Sequence, residues 1–171
     1  MEMKKILGPA LACLLLVQCG YHLRGTGSSL PPNIKKVEVP MFKNLTTRYD
    51  LDVKLTQSVI GELVARGKVE VTSESGSSDA LLVGEIIAFN VNPIAFSDQN
   101  TADRYTITVV ARIVLRDLAS KKVIFSNPSF VYQEQYEVLP GTGFEAWESQ
   151  AIDKVAEKFA RSLVSTLLEG F

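Results

Sequence analysis

The sequence predicts an α+β fold in which two helices pack on one face of a single sheet. Two observations predict it. Apolar residues recur at helical spacing in one segment near each end of the chain, and the segments between residues 69 and 136 are rich in apolar and alternating side chains. The element order is β-α-β-β-β-β-α, with a mostly antiparallel or mixed sheet of four to five strands. Because each helix has one apolar stripe to bury, a two-layer sandwich is the economical arrangement.

The first predicted helix spans about residues 48–66. Its stripe consists of Leu51, Leu55, Val59 and Leu63, widened by Ile60 and Val64. The polar residues of Asn44–Thr47 supply possible N-caps, and Gly67 is a natural stop at the C-terminal end.

Strands are predicted within 35–42 and at 69–71, 80–91, 105–116 and 123–136. Residues 80–91 are almost continuously apolar, which predicts a strand with both faces largely covered and a bulge or exit at Pro93. Asn127-Pro128 interrupts the last strand and predicts a bulge or a sheet edge, because proline lacks the ladder donor. Residues 97–103 are expected to form a hairpin tip, and residues 117–122 a turn.

The second predicted helix spans about residues 143–168. Thr142 and Glu145 fit a capping box at its start. Its apolar stripe consists of Ile152, Val155, Phe159, Leu163 and Leu167, flanked by Trp147, Ala156 and Ala160.

The N-terminus has the pattern of a secretory signal peptide. Lys4 and Lys5 precede an apolar run from residue 6 to 17, which is too short to cross a membrane as a helix. Leu16 lies three residues before Cys19, as in a lipobox, although Gln18 occupies a position where a small residue is usual. We therefore predict removal of residues 1–18 and lipidation of Cys19, the alternative being an ordinary signal followed by a stray cysteine.

These boundaries predict three regions: a signal peptide at 1–18, a lipidated tether at 19–33 and a single domain at 34–171. Gly20 follows the cysteine, where related lipoproteins retained in the inner membrane have Asp, so we expect the outer membrane. Removing residues 1–18 deletes two of the 18 basic and one of the 19 acidic residues, and the resulting net charge of −2 argues against a general nucleic-acid binder.

The sequence contains no recognisable catalytic or cofactor motif. Its single histidine, His22, lies beside the predicted anchor, so neither a zinc site nor a Ser-His-Asp set can be assembled. The carboxylate pairs Asp98/Asp103 and Glu134/Glu137 have no spacing that marks an acid and a base. We expect a protein that is not an enzyme and needs neither cofactor nor metal.

The segment Cys-Gly-Tyr-His-Leu-Arg-Gly at residues 19–25 resembles the mature start of the LptE family of lipopolysaccharide-assembly lipoproteins. The element order and the first helix that ends at a glycine are also similar, and the likeness extends over the mature chain. The resemblance implies a lipid-anchored plug in the outer-membrane β-barrel LptD, which supports insertion of lipopolysaccharide and binds it without covalent chemistry.

The resemblance also directs attention to two sets of side chains. Candidate contacts to the barrel are Tyr21, Leu23, Arg24, Thr106, Thr108 and Arg112. Candidate contacts to lipopolysaccharide phosphates are Arg104, Lys121 and Lys122. Basic residues near the hairpin tip are expected in the family, yet here Asp98 and Asp103 precede the only arginine.

Alternatives remain open for every one of these residues. The threonines and Arg112 also fit solvated or helix-covered sheet residues, the three bases also fit ordinary surface charges, and Tyr21 and Leu23 also fit side chains that dock on the domain. A free-standing lipoprotein that binds a small or lipidic ligand is the alternative function, because residues 80–91 are so apolar.

Overall fold

The computed structural model describes residues 30–72, 76–96, 102–138 and 147–170. The alternating and helical patterns produce the predicted α+β fold. The elements are β1 (Lys36–Glu38), β2 (Lys43–Asn44), α1 (Leu51–Arg66), β3 (Glu70–Thr72), β4 (Ala80–Phe96), β5 (Ala102–Asp117), β6 (Val123–Glu137) and α2 (Glu148–Glu169). Among the described residues, no helix is long and apolar enough to cross a membrane.

The sheet is mixed, as expected, and its strand order is β3-β1-β4-β5-β6, with β2 paired beside β4. Strand β1 pairs in parallel with β3 and with β4, and β2 pairs in parallel with β4. The long strands β4, β5 and β6 form an antiparallel meander. The sheet therefore has one strand more than the expected maximum. The additional strand, β2, has two residues, which is too short for a periodic pattern.

Both helices pack on the same face of the sheet, which we call the covered face. Ion pairs Arg48–Glu148 and Arg66–Glu169 join the corresponding ends of α1 and α2, so the helices run parallel. The predicted stripes of both helices are buried, and the ring of Phe159 meets that of Phe130 edge-on at a centroid distance of 5.4 Å. Burial of these apolar side chains is the main stabilising contribution to the fold.

The start of α1 differs from the prediction. The helix begins at Leu51, and its N-cap is Asp50, at φ 60° and without a side-chain cap. Asn44 and Thr46 bond within their own segment instead: the Asn44 Oδ1 accepts from the Thr46 N–H at 2.9 Å, and the Asn44 amide donates to the Arg48 carbonyl at 2.7 Å. These polar side chains therefore stabilise the turn before the helix and do not cap it. The predicted stop at Gly67 is confirmed by its φ of 62°.

Two predictions about burial are wrong. Val64 does not widen the stripe of α1; its side chain is 59% exposed, because it lies about 100° around the helix from the buried Leu63. Strand β4 is covered on one face only, since Val83 remains 39% exposed while Leu82 is buried. Two helices are enough to cover one side of the meander, and no described element covers the other.

The prolines act as predicted. The register between β4 and β5 shifts around Pro93, where the strand continues to Phe96 rather than ending. Strand β6 is the last in the sheet order, and its register shifts next to Asn127-Pro128.

Several predictions fall on residues outside the described part of the chain. These are the signal peptide, Cys19, most of the tether, residues 97–101 of the hairpin tip and the capping box at Thr142 and Glu145. Helix α2 begins at Glu148, and Trp147 precedes it.

Candidate partner-binding face

The side of the meander that faces away from both helices is the candidate functional site, and we call it the open face. Residues that pair directly across strands share a face, so the alternation in β5 assigns its neighbours in β4 and β6. Its members are Leu81, Val83, Glu85, Ala88, Asn90 and Asn92 on β4, Thr106, Thr108, Val110, Arg112, Val114 and Arg116 on β5, and Val123, Ser126, Val131, Gln133 and Gln135 on β6.

One half of the open face, toward the β5–β6 turn, is apolar. Val83 pairs with Val114, and Val131, which is 53% exposed, pairs with Val110. A shallow depression of about 240 Å³ lies here, lined by Leu81, Val83, Glu85, Arg112, Val114 and Arg116. Exposed apolar side chains that adjoin one another are a feature of interaction surfaces.

Charged groups edge this apolar half. The Arg112 guanidinium forms an ion pair with the Glu85 carboxylate on the neighbouring strand. Arg116 is exposed and forms no ion pair within the described residues. The depression thus combines aliphatic walls with one uncompensated cation.

The other half of the open face, toward the β4–β5 hairpin end, is largely polar, with the Arg104–Glu137 ion pair at its outer end. Asn90 and Asn92 lie opposite Thr108 and Thr106, and Gln133 donates to the Thr108 hydroxyl at 3.1 Å. Amide and hydroxyl groups offer both donors and acceptors, so this half can form hydrogen bonds with a hydrated partner surface.

The structure brings Thr106, Thr108 and Arg112 together on the open face, since they alternate along one strand. They are not helix-covered, which removes one of the two alternatives for them. Tyr21, Leu23 and Arg24 lie outside the described residues.

The three bases expected to contact phosphates do not form one site. Arg104 lies at the hairpin end of β5, and its guanidinium is 2.8 Å from the Glu137 carboxylate. Lys121 and Lys122 follow the other end of that strand, in the β5–β6 turn, where Lys121 has a φ of 58°. The 13 residue steps from Arg104 to Asp117 at the end of β5 place the two groups about 40 Å apart.

The structure also separates Glu134 and Glu137, one of the two carboxylate pairs considered for acid–base chemistry; Asp98 of the other pair lies outside the described residues. Glu134 lies on the covered face, where it accepts hydrogen bonds from the Lys158 ammonium at 2.6 Å and the Tyr132 hydroxyl at 2.8 Å. The bond from Lys158 is the main reason that the pKa of Glu134 is lowered. Glu137 instead pairs with Arg104 on the open side. The described residues contain no cluster of three potential metal ligands.

Sequence reasoning missed the apolar members of the open face. Val110 and Val114 occupy positions on the polar side of an otherwise alternating strand. Leu81 and Val83 lie on one side of β4 and Leu82 on the other, so the apolar run shows no alternation. The available signal was therefore apolar residues at positions that alternation assigns to solvent.

Solved structures with the same arrangement come from several bacteria. The chain is similar to a hypothetical protein from Chlamydia trachomatis (TM-score 0.54, 11% identity, covering 81% of this chain and 97% of that chain). It is also similar to a protein from Xanthomonas campestris (0.56, 14%, 81% and 88%). A third is an uncharacterized lipoprotein B from Nitrosomonas europaea (0.52, 14%, 86% and 90%). At these identities the likeness shows the fold alone.

The fold and the open face thus define a class of small α+β proteins in which the described elements cover one side of the sheet only. The family model for LptE, described as lipopolysaccharide-assembly, matches residues 34–167. Because that match spans most of the chain, the protein belongs to the LptE family. Membership links it to lipopolysaccharide assembly. No curated protein sequence matches the chain.

Proposed function

We propose that the protein is a non-enzymatic lipoprotein of the outer membrane, anchored through acyl chains on Cys19, that occupies the lumen of the β-barrel LptD as a plug. In this role it supports assembly of the barrel and insertion of lipopolysaccharide into the outer leaflet. The family match supports the pathway, and the open face supports the mode of action.

The observation that carries the proposal is the amphipathic open face. Its apolar half leaves Val83 and Val131 39% and 53% exposed, which favours burial against a partner. Its polar half, with Thr106 and Thr108, matches the polar interior of a large outer-membrane barrel. A rigid sheet that presents both kinds of surface fits a barrel wall along its length.

Lipopolysaccharide contact is proposed at the hairpin end, where Arg104 is available to exchange its Glu137 partner for a phosphate group. Lys121 and Lys122 lie at the opposite end and would require a second, separate contact. Tyr21, Leu23 and Arg24 are proposed to guide the tether from the membrane toward the barrel.

A matched pair of valine substitutions tests the barrel contact. Val131→Arg places a charge on the open face, and Val64→Arg makes the same change at an equally exposed site on α1, at 53% and 59% exposure. The tagged full chain is expressed at native level and captured from detergent-solubilised membranes. We expect wild type and Val64→Arg to recover LptD, and Val131→Arg to recover at least tenfold less.

Capture of LptD by both variants alike would contradict a role for the open face. Failure of the wild-type chain to capture any barrel would contradict the plug itself. Circular dichroism of both purified variants controls for folding.

A free-standing lipoprotein that binds a small or lipidic ligand is the weaker candidate. Ligand sites are typically enclosed pockets of about 300–1,000 Å³. The depression on the open face is about 240 Å³ and shallow, so its shape favours a protein surface over an enclosed ligand.

A further inference from the structure

The end of the sheet next to the tether is held together by hydrogen bonds between three segments. The Asp117 N–H donates to the Lys122 carbonyl at 2.8 Å, and the Leu118 N–H donates to the Asp79 carbonyl at 2.9 Å. The Asp79 N–H in turn donates to the Lys36 carbonyl at 2.9 Å. We call this region, comprising residues 30–36, 67–70, 79 and 117–122, the tether end.

The path of the tether is fixed at this end. Leu30 is buried in the core at 9% exposure, and the Asn33 amide donates to the Asp117 carboxylate at 3.4 Å. The Asp79 carboxylate accepts the backbone N–H groups of Lys35 and Lys36 at 2.9 and 2.8 Å. The described part of the tether, residues 30–33, therefore joins the domain at the tether end.

A lipid attached to Cys19 can lie beside the tether end but cannot reach the β4–β5 hairpin end. Cys19 lies eleven positions before Leu30, so a fully extended tether spans at most about 40 Å. The β4–β5 hairpin end lies about 50 Å further along the meander.

The tether end is also rich in exposed cations. Lys35, Lys36, Lys68, Lys121 and Lys122 are all exposed there, with Arg116 close by. Lys68, Lys121 and Lys122 form no ion pair within the described ranges. Leu118, at 36% exposure, adds an apolar side chain among them.

The carboxylates of this end are already engaged. Glu70 lies 3.7 Å from Lys36, and Glu169 pairs with Arg66. The Asp117 carboxylate accepts the backbone N–H groups of Ala119 and Ser120 at 2.8 and 2.9 Å, as Asp79 accepts those of β1. At the hairpin end, Arg104 is paired with Glu137, and the ammonium of Lys154 lies over the Tyr136 ring.

We propose that the tether end binds the anionic phospholipid headgroups of the leaflet that holds the acyl anchor. This inference rests on the proposed lipidation of Cys19. A lysine near an anionic membrane surface contributes about fivefold to the binding equilibrium, and acyl chains combined with basic residues form a stable two-part anchor. The contact orients the body so that the β4–β5 hairpin points away from that leaflet.

The test uses the full, lipidated chain reconstituted in vesicles of phosphatidylcholine, with or without phosphatidylglycerol. A spin label is attached at Ala119→Cys in the β5–β6 turn or at Asn92→Cys near the hairpin end, and nickel-chelating lipids report its proximity to the headgroups. We expect phosphatidylglycerol to increase proximity at position 119 and not at position 92, and high salt to remove the increase.

Three double variants separate charge from other effects. Lys121→Gln/Lys122→Gln should lower the ratio of membrane-contacting to free forms by about 25-fold at position 119, as expected for the loss of two lysines. Lys121→Arg/Lys122→Arg keeps the charge and should retain contact. Lys43→Gln/Lys154→Gln removes the same charge from exposed sites elsewhere and should also retain contact.

Equal proximity with and without phosphatidylglycerol, or an unchanged value for the glutamine variant, would overturn the inference. Contact that appears only when lipopolysaccharide replaces phosphatidylglycerol would overturn it in favour of the lipopolysaccharide contact at Lys121 and Lys122. A chain whose N-terminal peptide has no lipid by mass, and which leaves the vesicles in high salt, would instead overturn the proposed anchor. That result differs from one in which the chain stays on the vesicles in high salt while proximity at position 119 does not depend on phosphatidylglycerol.

Discussion

The covered and open faces of the meander come from the same three strands, yet they differ in what their side chains do. In β5, Ile107, Val109 and Ile113 are fully buried beneath the helices. The residues between them, including Thr108 and Arg112, face outward on a surface that no described element covers. The alternation of the strand thus separates the side chains that stabilise the fold from those available to a partner.

The two faces also differ in how tightly they are packed. On the covered face, a Cβ at Gly84 would lie 2.6 Å from the ring of Phe42, which leaves no space for even a methyl group. On the open face, Val123 and Val131 remain about half exposed and a shallow depression persists. Substitutions should therefore change stability on one face and partner binding on the other.

The largest expected effect is truncation of the core ring Phe159, which is fully buried against Phe130. Phe159→Ala should lower the free energy of unfolding by about 3–5 kcal/mol, because it removes apolar contacts and leaves a cavity. Val131→Ala on the open face should change it by only about 0.5 kcal/mol. Urea unfolding followed by circular dichroism measures both, and equal losses would erase the difference between the faces.

Two glycine substitutions should change the free energy of unfolding by less than Phe159→Ala does, and in opposite directions. Gly84→Ala forces the Phe42 ring to move and should cost about 1–3 kcal/mol of unfolding free energy. Gly61→Ala lies in α1 with no atom within 4 Å of the new Cβ, and should stabilise by up to about 1 kcal/mol. Urea midpoints test the pair; a neutral Gly84→Ala would show that the ring packs loosely.

Acid should lower the stability of the folded protein through the tether end, by less than the Gly84→Ala substitution does. Backbone N–H groups lower the pKa of Asp79 and of Asp117 in the folded state. A lowered folded-state pKa means that this stabilisation is present above the unfolded-state pKa of about 3.9 and is lost as pH falls through the folded value. The urea midpoint should therefore decrease below about pH 4.

The double variant Asp79→Asn/Asp117→Asn serves as the control for that titration. Its midpoint should be lower than that of the wild type at neutral pH and should fall less steeply in acid. A wild-type chain and a double variant with parallel pH profiles would show that these carboxylates do not contribute.

Much of the fold was predictable because burial imposes periodicity. The stripes of both helices, the stop at Gly67 and the three long strands follow from patterns that extend over ten or more residues. The two-residue β2 and the exact start of α1 were not predictable, because they depend on hydrogen bonds made by Asn44 and Thr46 rather than on a repeat.

The candidate site was predictable only in part. Alternation placed Thr106, Thr108 and Arg112 on one face, but it did not reveal which face the helices cover. The apolar run at 80–91 predicted two covered faces. An apolar residue that binds a partner protein cannot be distinguished in the sequence from one that is buried in the fold. Charge alone also suggested a common role for Arg104 and Lys121, which the length of β5 separates.

We propose that the open face lies against the wall of the LptD barrel. Photocrosslinkers placed in living cells test this at Thr108 and Val114 on the open face, and at Lys154 and Glu157 on the exposed side of α2. We expect crosslinks to LptD from the two strand positions and much weaker ones from the helix positions. Crosslinks from α2 alone, with none from β5, would contradict it.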